Sequence, residues 1–344
     1  FTQKINKSLL PVEFKAVISH IIEKFDINIE IVVAVGHLKK TVLDYLECAH
    51  SERKFTIVEV DKYSGKGSGP GYSLLQCRKR LNTPFIFFTS DTLVSEDIPE
   101  PFENWLGVSQ VMTTEEYCTA RIVNDNIVGL EDKVISRNKY AFIGVAGVKD
   151  YDIFFDALED NKELKNGELQ VSSGFSALIN YDLKPQYLTW HDTGNINGYI
   201  NANKTFSKSQ YSFDFSKSNE FLYFVGDNVI KYFEDVNIIK NRYQRSKILK
   251  GMCPEIITIK DSFYAYEKKA GNVLYDVVND QIMHNLINWL DSFLWTQIQL
   301  SDSDIKDFNL SCYNFYYHKT RLRLKKYHDK HEIKDEAAKK GQGA

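Results

Sequence analysis

Four short stretches hold residue types that do chemistry, at the spacing that chemistry needs. Thr89-Ser90-Asp91-Thr92 closes the apolar run 84–89 (PFIFFT). A carboxylate at the mouth of such a strand suits Mg2+, which takes carboxylates together with substrate phosphates. A helix N-cap is the plain alternative for the same Ser and Asp. Trp190-His191-Asp192-Thr193-Gly194-Asn195 offers a second rigid carboxylate, able to complete a metal site with Asp91. An Asx turn is its alternative. No second histidine stands at ligand spacing from His191, which reads as structural or solvent-facing. Residues 63–72 (YSGKGSGPGY) place four glycines within seven positions. Glycine lets a ligand approach the backbone closely, and a helix starting there offers free N–H groups to an anion or a base. The stretch is neither a Walker A loop nor a GxGxxG fingerprint, and a mobile loop is its alternative. Lastly, Lys4 and Lys7 precede Ser8-Leu9-Leu10-Pro11-Val12, where a lysine can hold a phosphate at a domain edge or stand solvated.

Positioning these residues takes strands and helices in alternation. Residues 29–35, 55–60 and 84–89 read as buried strands, and 14–25, 38–46 and 73–81 carry apolar residues at helical spacing. Such alternation implies βαβ units and a mostly parallel sheet, with ligands beyond the carboxyl ends of the strands. Asp91 lies at such an end. Further strands over 107–112, 117–123, 127–130 and 140–148, with turns such as Asn124-Asp125-Asn126, make the sheet mixed. Short helices are expected over 151–158 and 174–180. Residues 204–217, rich in Ser, Lys and Phe, read as a linker. Beyond it come strands 220–225 and 228–233 around Gly226-Asp227, a basic helix over 241–250, strands 255–260 and 262–268, and a helical run over 281–299.

Composition narrows the partners. The 344 residues are enough for about two domains, and they carry a net charge of -3 with no basic stripe. A nucleic-acid partner predicts such a stripe, so none is expected. The five cysteines (Cys48, Cys77, Cys118, Cys253, Cys312) form no C-x-x-C pair. That argues against a disulfide framework or a zinc site and for a reducing compartment. No apolar run reaches the ~18 residues of a membrane span, and no signal peptide is visible. A cytoplasmic enzyme or binding protein is expected. Phe1 is not a natural start, and the native N-terminus is expected upstream.

Taken in order, the pieces resemble the sugar-1-phosphate nucleotidyltransferase family. They are Lys7 with Leu9-Leu10-Pro11-Val12, the glycine loop, Ser90-Asp91, Glu131-Asp132-Lys133, Phe142-Ile143-Gly144-Val145, Gly167-Glu168 and Trp190-His191-Asp192-Thr193-Gly194. That family includes the pyrophosphorylases that make NDP-sugars and the bacterial phosphocholine cytidylyltransferases. The resemblance implies an α/β, Rossmann-like mixed-sheet (GT-A-like) domain that moves NMP from an NTP onto a phosphorylated small molecule. It implies Mg2+ on Asp91 and Asp192, and Lys7 and Lys133 as catalytic lysines beside phosphates. Gly67, Ser68 and Gly69 would contact base and ribose, and Gly144 and Glu168 would line the acceptor pocket. The family opens with a Gly-x-Gly-x-Arg loop, which by the resemblance would be expected upstream of the first residue here.

Residues 219–275 resemble the small lobe of choline-kinase and aminoglycoside-phosphotransferase-like kinases. The matching pieces are 221–225, Val229-Ile230-Lys231, the helix over 241–249 and 264–268 before Ala270-Gly271. The resemblance implies that Lys231 grips ATP phosphates. The helix offers Gln244 and arginines rather than an evident glutamate partner, and no His-Gly-Asp loop with a downstream Asn follows. The expected organisation is a nucleotidyltransferase domain (1–204), a linker (205–218), a partial α+β kinase-like module (219–328) and a charged tail (329–344). A kinase half would phosphorylate a small alcohol or sugar that the other half activates for surface-glycan or headgroup synthesis. Two rivals remain: a glycosyltransferase, although Ser90-Asp91-Thr92 lacks the first acid of Asp-x-Asp, and a nucleotide-binding regulator without turnover.

Overall fold

The computed structural model describes residues 4–206 and 219–331. The linker expected over 205–218 lies outside the described residues from position 207, and the tail expected over 329–344 from position 332. The chain divides into two compact units, Phe1–Gly271 and Asn272–Ala344.

The first unit opens with a 3-10 turn, Lys7–Leu9. A hairpin of β1 (Pro11–Val12) and β2 (Lys15–Ala16) follows. Its turn residues Glu13 and Phe14 both have positive φ, 46° and 60°. Two-residue hairpin turns demand this geometry but favour Asn and Gly. The apolar spacing over 14–25, read as one helix, therefore becomes helical only in α1 (Val17–Ile22). The chain continues through β3 (Ile31–Val35), α2 (Lys39–Ala49) and β4 (Phe55–Glu59), and β3 pairs with β4 in parallel. α3 (Pro70–Cys77) begins on a proline, whose missing N–H is an orphan at that position anyway.

Next come β5 (Phe85–Phe88), β6 (Thr92–Val94), β7 (Trp105–Gln110), β8 (Cys118–Val123), β9 (Asn126–Asp132) and β10 (Tyr140–Val148). After them run α4 (Tyr151–Asp160), α5 (Ser172–Leu178), β11 (Lys184–Tyr187), β12 (Trp190–Asp192) and α6 (Ile196–Phe206). The expectation of mostly parallel pairing is corrected here. β10 pairs antiparallel with β5, β7 and β8, and β8 with β9, while β11 alone joins this sheet in parallel, along β7. The β8–β9 connection through Asn124 and Asp125 shows why, since two-residue turns can join only antiparallel strands. β10 is the spine. Its residues 140–141 lie against β8 and 145–148 against β5, and its register with β7 shifts between Phe142 and Ala146. α4 and α5 cover one face with Phe154, Phe155, Leu158 and Phe175. The first two and Leu158 recur at helical spacing, which keeps them on one stripe.

β13 (Glu220–Val225), β14 (Asn228–Phe233), α7 (Val236–Ile248), β15 (Ile256–Ile259) and β16 (Phe263–Glu267) complete the unit, with strand order β13-β14-β16-β15. Alternation along these strands gives the sheet two apolar faces. Tyr223, Ile230, Tyr232 and Phe263 join one core with Leu9, Leu10, Tyr45 and Leu46. Phe233 and Tyr264 pack with Ile239 of α7. A sheet apolar on both sides needs cover on both. α7 supplies one cover and the N-terminal segments the other, so the structure distinguishes no separate kinase-like lobe.

The second unit contains α8 (Leu274–Val277), α9 (Asp280–Trp289), α10 (Asp302–Cys312) and α11 (Lys319–His331). The helical run read over 281–299 leaves α geometry in a π turn, Leu290–Leu294, and ends at an extended Trp295. Among the described residues, no helix is long and apolar enough to cross a membrane.

Candidate active site

β5 delivers Asp91, and β10 fixes how. The Thr89 N–H donates to the Gly144 carbonyl at 2.8 Å. The Thr89 hydroxyl donates to Thr92 Oγ1 at 3.0 Å, and Thr92 Oγ1 donates to the Ile143 carbonyl at 2.5 Å. Gly144 has φ 82°, and a Cβ there would collide with the Thr89 side chain. Both facts call for glycine.

The antiparallel ribbon of β6 and β12 sets Asp192 opposite Thr92. Thr193 then holds the Asp91 carbonyl twice, through its N–H at 2.9 Å and its hydroxyl at 2.8 Å. Asp192 Oδ1 accepts from the Gly194 N–H at 2.7 Å, and Oδ2 accepts from the Asn195 amide at 2.6 Å. A Cβ on Gly194 would lie 2.9 Å from Asp91 Oδ2 and 3.1 Å from Asp192 Oδ1. The two carboxylates therefore flank a space that the missing side chain leaves open. The Lys7 ammonium donates to Asp91 Oδ2 at 2.6 Å. Burial lifts the Asp192 carboxyl above the ordinary aspartate range and the Asp91 charge adds to it, against the Gly194 N–H, Lys7 and Asn195. Among the described residues, no cluster of three or more His, Cys, Asp or Glu side chains could hold a metal.

Among the described residues, Lys133 is linked to the pair only through backbone and ring contacts. Lys133, at φ 50°, donates its N–H to the Tyr117 carbonyl at 2.9 Å. The Tyr117 ring meets Trp190 edge-on at 5.4 Å, and burial, with Asp192 adding to it, raises the Tyr117 phenol. The Trp190 Nε1–H is buried without a partner. His191 hydrogen-bonds Ser95 at 3.0 Å and packs edge-on against Phe206.

The glycine loop has its own set of contacts. The Gly67 N–H donates to the Gly167 carbonyl at 2.7 Å, the Leu169 N–H to the Ser68 carbonyl at 2.7 Å, and the Gly71 N–H to the Leu169 carbonyl at 2.9 Å. A Cβ on Gly69 would come within 2.7 Å of the Leu169 carbonyl and 2.9 Å of the Glu168 Cβ. The loop thus lies backbone to backbone on Gly167–Leu169, which brings Gly67, Ser68 and Gly69 together with Glu168. Lys231 is not part of this assembly. It lies on β14 opposite Tyr264, on the α7 side of the sheet.

Sequence reading passes over Thr89, Thr193 and Asn195 as working residues, although all three fix the aspartates. The only local signal is the Asp-Thr-Gly-Asn string, whose side chains bond their own turn.

No family model matches the chain. It is 25% identical over 221 residues to the bifunctional protein GlmU of Methanococcus vannielii, covering 60% of this chain and 51% of that protein. It is also 25% identical over 211 residues to the GlmU of Methanocaldococcus jannaschii, covering 59% and 50%. The chain thus spans about half the length of the curated relatives it matches. Among solved structures, an apo UDP-glucose pyrophosphorylase aligns with a TM-score of 0.50 at 18% identity, covering 59% of this chain and 90% of that one. A putative glucose-1-phosphate thymidylyltransferase from Bacillus anthracis aligns with a TM-score of 0.50 at 22% identity, covering 63% and 91%. The fold is the mixed, Rossmann-like α/β fold of these nucleotidyltransferases. The chain is homologous, at the superfamily level, to the sugar-1-phosphate nucleotidyltransferase-like proteins.

Proposed function

We propose that this protein transfers NMP from an NTP to a phosphorylated small molecule, a sugar 1-phosphate or a phosphocholine-like compound, and releases pyrophosphate. The observation that carries the reading is the convergence of Asp91 and Asp192 on the open space at Gly194, with Lys7 at Asp91 Oδ2. Two hard carboxylates facing a gap that a Cβ would fill fit Mg2+, which is completed by substrate phosphates and water. When bound there, Mg2+ would neutralise phosphate charge. The chain's own part is positioning and charge. Lys7 and Lys133 steady the phosphates, Gly67, Ser68 and Gly69 receive base and ribose, and Gly144 and Glu168 border the acceptor. The acceptor's phosphate oxygen attacks the α-phosphorus and the bond to pyrophosphate breaks. No general base is needed, because a phosphate monoester is already ionised at pH 7. Alignment and fixed charge supply the rate.

A second reading concerns residues 219–271. Their element order (two strands, a helix, two strands) agrees with the kinase small-lobe resemblance, with Lys231 as the ATP-gripping lysine. Only if the full-length protein supplies the catalytic loop missing here would this half phosphorylate the acceptor that the transferase then activates; otherwise it is a truncated kinase domain or a module for packing and substrate choice.

The test is pyrophosphate release by the native full-length protein with Mg2+, each NTP and a panel of phosphorylated acceptors. One NTP–acceptor pair should give release, and Asp91→Ala should lower it about 100- to 1000-fold, the scale of losing a fixed electrostatic group. NDP release from a sugar nucleotide would point instead to a glycosyltransferase, and nucleotide binding without turnover to a regulator.

A further inference from the structure

The turn that carries Lys7 is closed by its own hydrogen bonds, from the Leu9 N–H to the Asn6 carbonyl at 2.9 Å and from the Leu10 N–H to the Lys7 carbonyl at 3.1 Å, and it is tied to remote segments as well. Between residues 4 and 14 four backbone carbonyls accept hydrogen bonds from groups some 190 to 230 positions later in the chain. The Tyr232 hydroxyl donates to the Lys4 carbonyl at 3.1 Å, and the Tyr223 hydroxyl to the Leu9 carbonyl at 2.8 Å. The Tyr199 hydroxyl donates to the Pro11 carbonyl at 2.6 Å, and the Phe224 N–H to the Phe14 carbonyl at 2.7 Å. Three of the four donors belong to β13 and β14. An ion pair between Lys4 and Glu234 adds a further tie.

The segment needs this help. Glu13 and Phe14 both sit in the left-handed region, which costs a non-glycine residue roughly 1–2 kcal/mol each. Strain of this kind persists only where surrounding structure over-determines it. The Phe14 ring also packs on Phe224 at 5.5 Å. Tyr223 is fully buried with its ring 5.0 Å from that of Tyr45, so its hydroxyl has a fixed origin. The carbonyl it holds belongs to Leu9, the last residue of the 3-10 turn whose first residue is Lys7.

We infer that the β13–β14 sheet positions Lys7 for the transferase, with Tyr223 as the positioning residue acting through the Leu9 carbonyl. This assignment rests on the reading of Lys7 as a phosphate-steadying lysine. Tyr223 touches no substrate. It fixes the direction from which the ammonium reaches Asp91 Oδ2, and misplacement of such a group by about 1 Å can cost on the order of 100-fold in rate. The sheet that resembles a kinase lobe is then part of the neighbouring catalytic centre.

Two readouts on the full-length protein test this. In the first, lysines are reductively methylated with a 13C label, and the Lys7 signal is identified by its loss in Lys7→Ala. Tyr223→Phe, which keeps the ring, should move the Lys7 signal toward that of a lysine without a carboxylate partner and leave the other lysine signals in place. An unmoved Lys7 signal overturns the assignment, whatever reaction the protein performs. The second is a cycle on pyrophosphate release, in which coupled residues depart from additivity. Tyr223→Phe should lower kcat about 10-fold with KM for the NTP unchanged, and have under about 2-fold effect in the Lys7→Ala background. Equal falls in both backgrounds overturn the role of Tyr223 and leave the transferase reading standing. A Lys7→Ala variant with unchanged kcat removes Lys7 from the reaction and the assignment with it. If Tyr223→Phe does not fold, Tyr232→Phe replaces it in both readouts, with the same direction expected.

Discussion

Asp192 sits where its charge is unwelcome to the fold. Burial, with the charge of Asp91 adding to it, holds its carboxyl above the ordinary range. A raised carboxyl keeps its proton more firmly in the folded chain than in the unfolded one. Its contribution is therefore fully present below the unfolded value of about 3.9 and is lost as pH rises through the higher folded value. At pH 7 the whole cost falls on the folded state. Asp192→Asn carries no charge, so in EDTA it should melt above the native protein at pH 7, and the difference should vanish near pH 4. Pyrophosphate release should be lost in the same variant. Melting curves that coincide at both pH values would remove the burial cost from the account. Stability given up at a reacting group is the expected trade where function needs a desolvated charge.

Among the elements, β10 shows the site most directly. It pairs with β8 over residues 140–141 and with β5 over 145–148, its register with β7 shifts between Phe142 and Ala146, and the Gly144 carbonyl inside that shift takes the Thr89 N–H. Gly144→Ala should destabilise the protein by about 2–5 kcal/mol, the sum of left-handed backbone strain and overpacking. Denaturant titration reads this as a lower midpoint. An unchanged midpoint would mean that the shift tolerates a side chain. The ends of β10, β13 and β14 are legible in the sequence because each is an apolar run bounded by turn residues. The hairpin at Glu13-Phe14 is not, because its residues are poor turn formers and its stability comes from Phe224, some 210 positions away. Strand direction is hidden for the same reason. β5 meets β10 across an interval that no local pattern spans, and the sheet expected to be mixed is mainly antiparallel around β10. In the site, Asp91 and Asp192 can be picked out because strand-end carboxylates are unusual. Thr193 and Tyr223 cannot, because what they hold is backbone from a remote segment.

At the scale of the whole molecule, the boundary of the first unit falls after β16 rather than before β13. Residues 267–280 are exposed throughout and include Lys268 and Lys269. Exposed connections of this kind are the preferred sites of nicking. Brief trypsin treatment should therefore cut at Lys268 or Lys269 and leave a fragment of the first unit that melts as cooperatively as before. Early cleavage between β12 and β13 with loss of the melting transition would break the unit at the wrong place. The shared core explains the expectation: removing β13–β16 would expose Leu9, Leu10, Tyr45 and Leu46 together.

The long reach of the ties on residues 4–14 also has a consequence in time. A ribosome adds roughly 5–20 residues per second. Lys7 therefore leaves the tunnel some tens of seconds before Tyr223 and Tyr232 exist to hold its turn. Within that interval Asp91 waits about a hundred residues for Asp192, and the nascent chain carries a bare apolar face around Leu9 and Tyr45. The growing polypeptide can neither gather the reacting groups nor hide that face until the second sheet is made. Its yield in a cell should accordingly depend on holding factors that act during synthesis rather than after release.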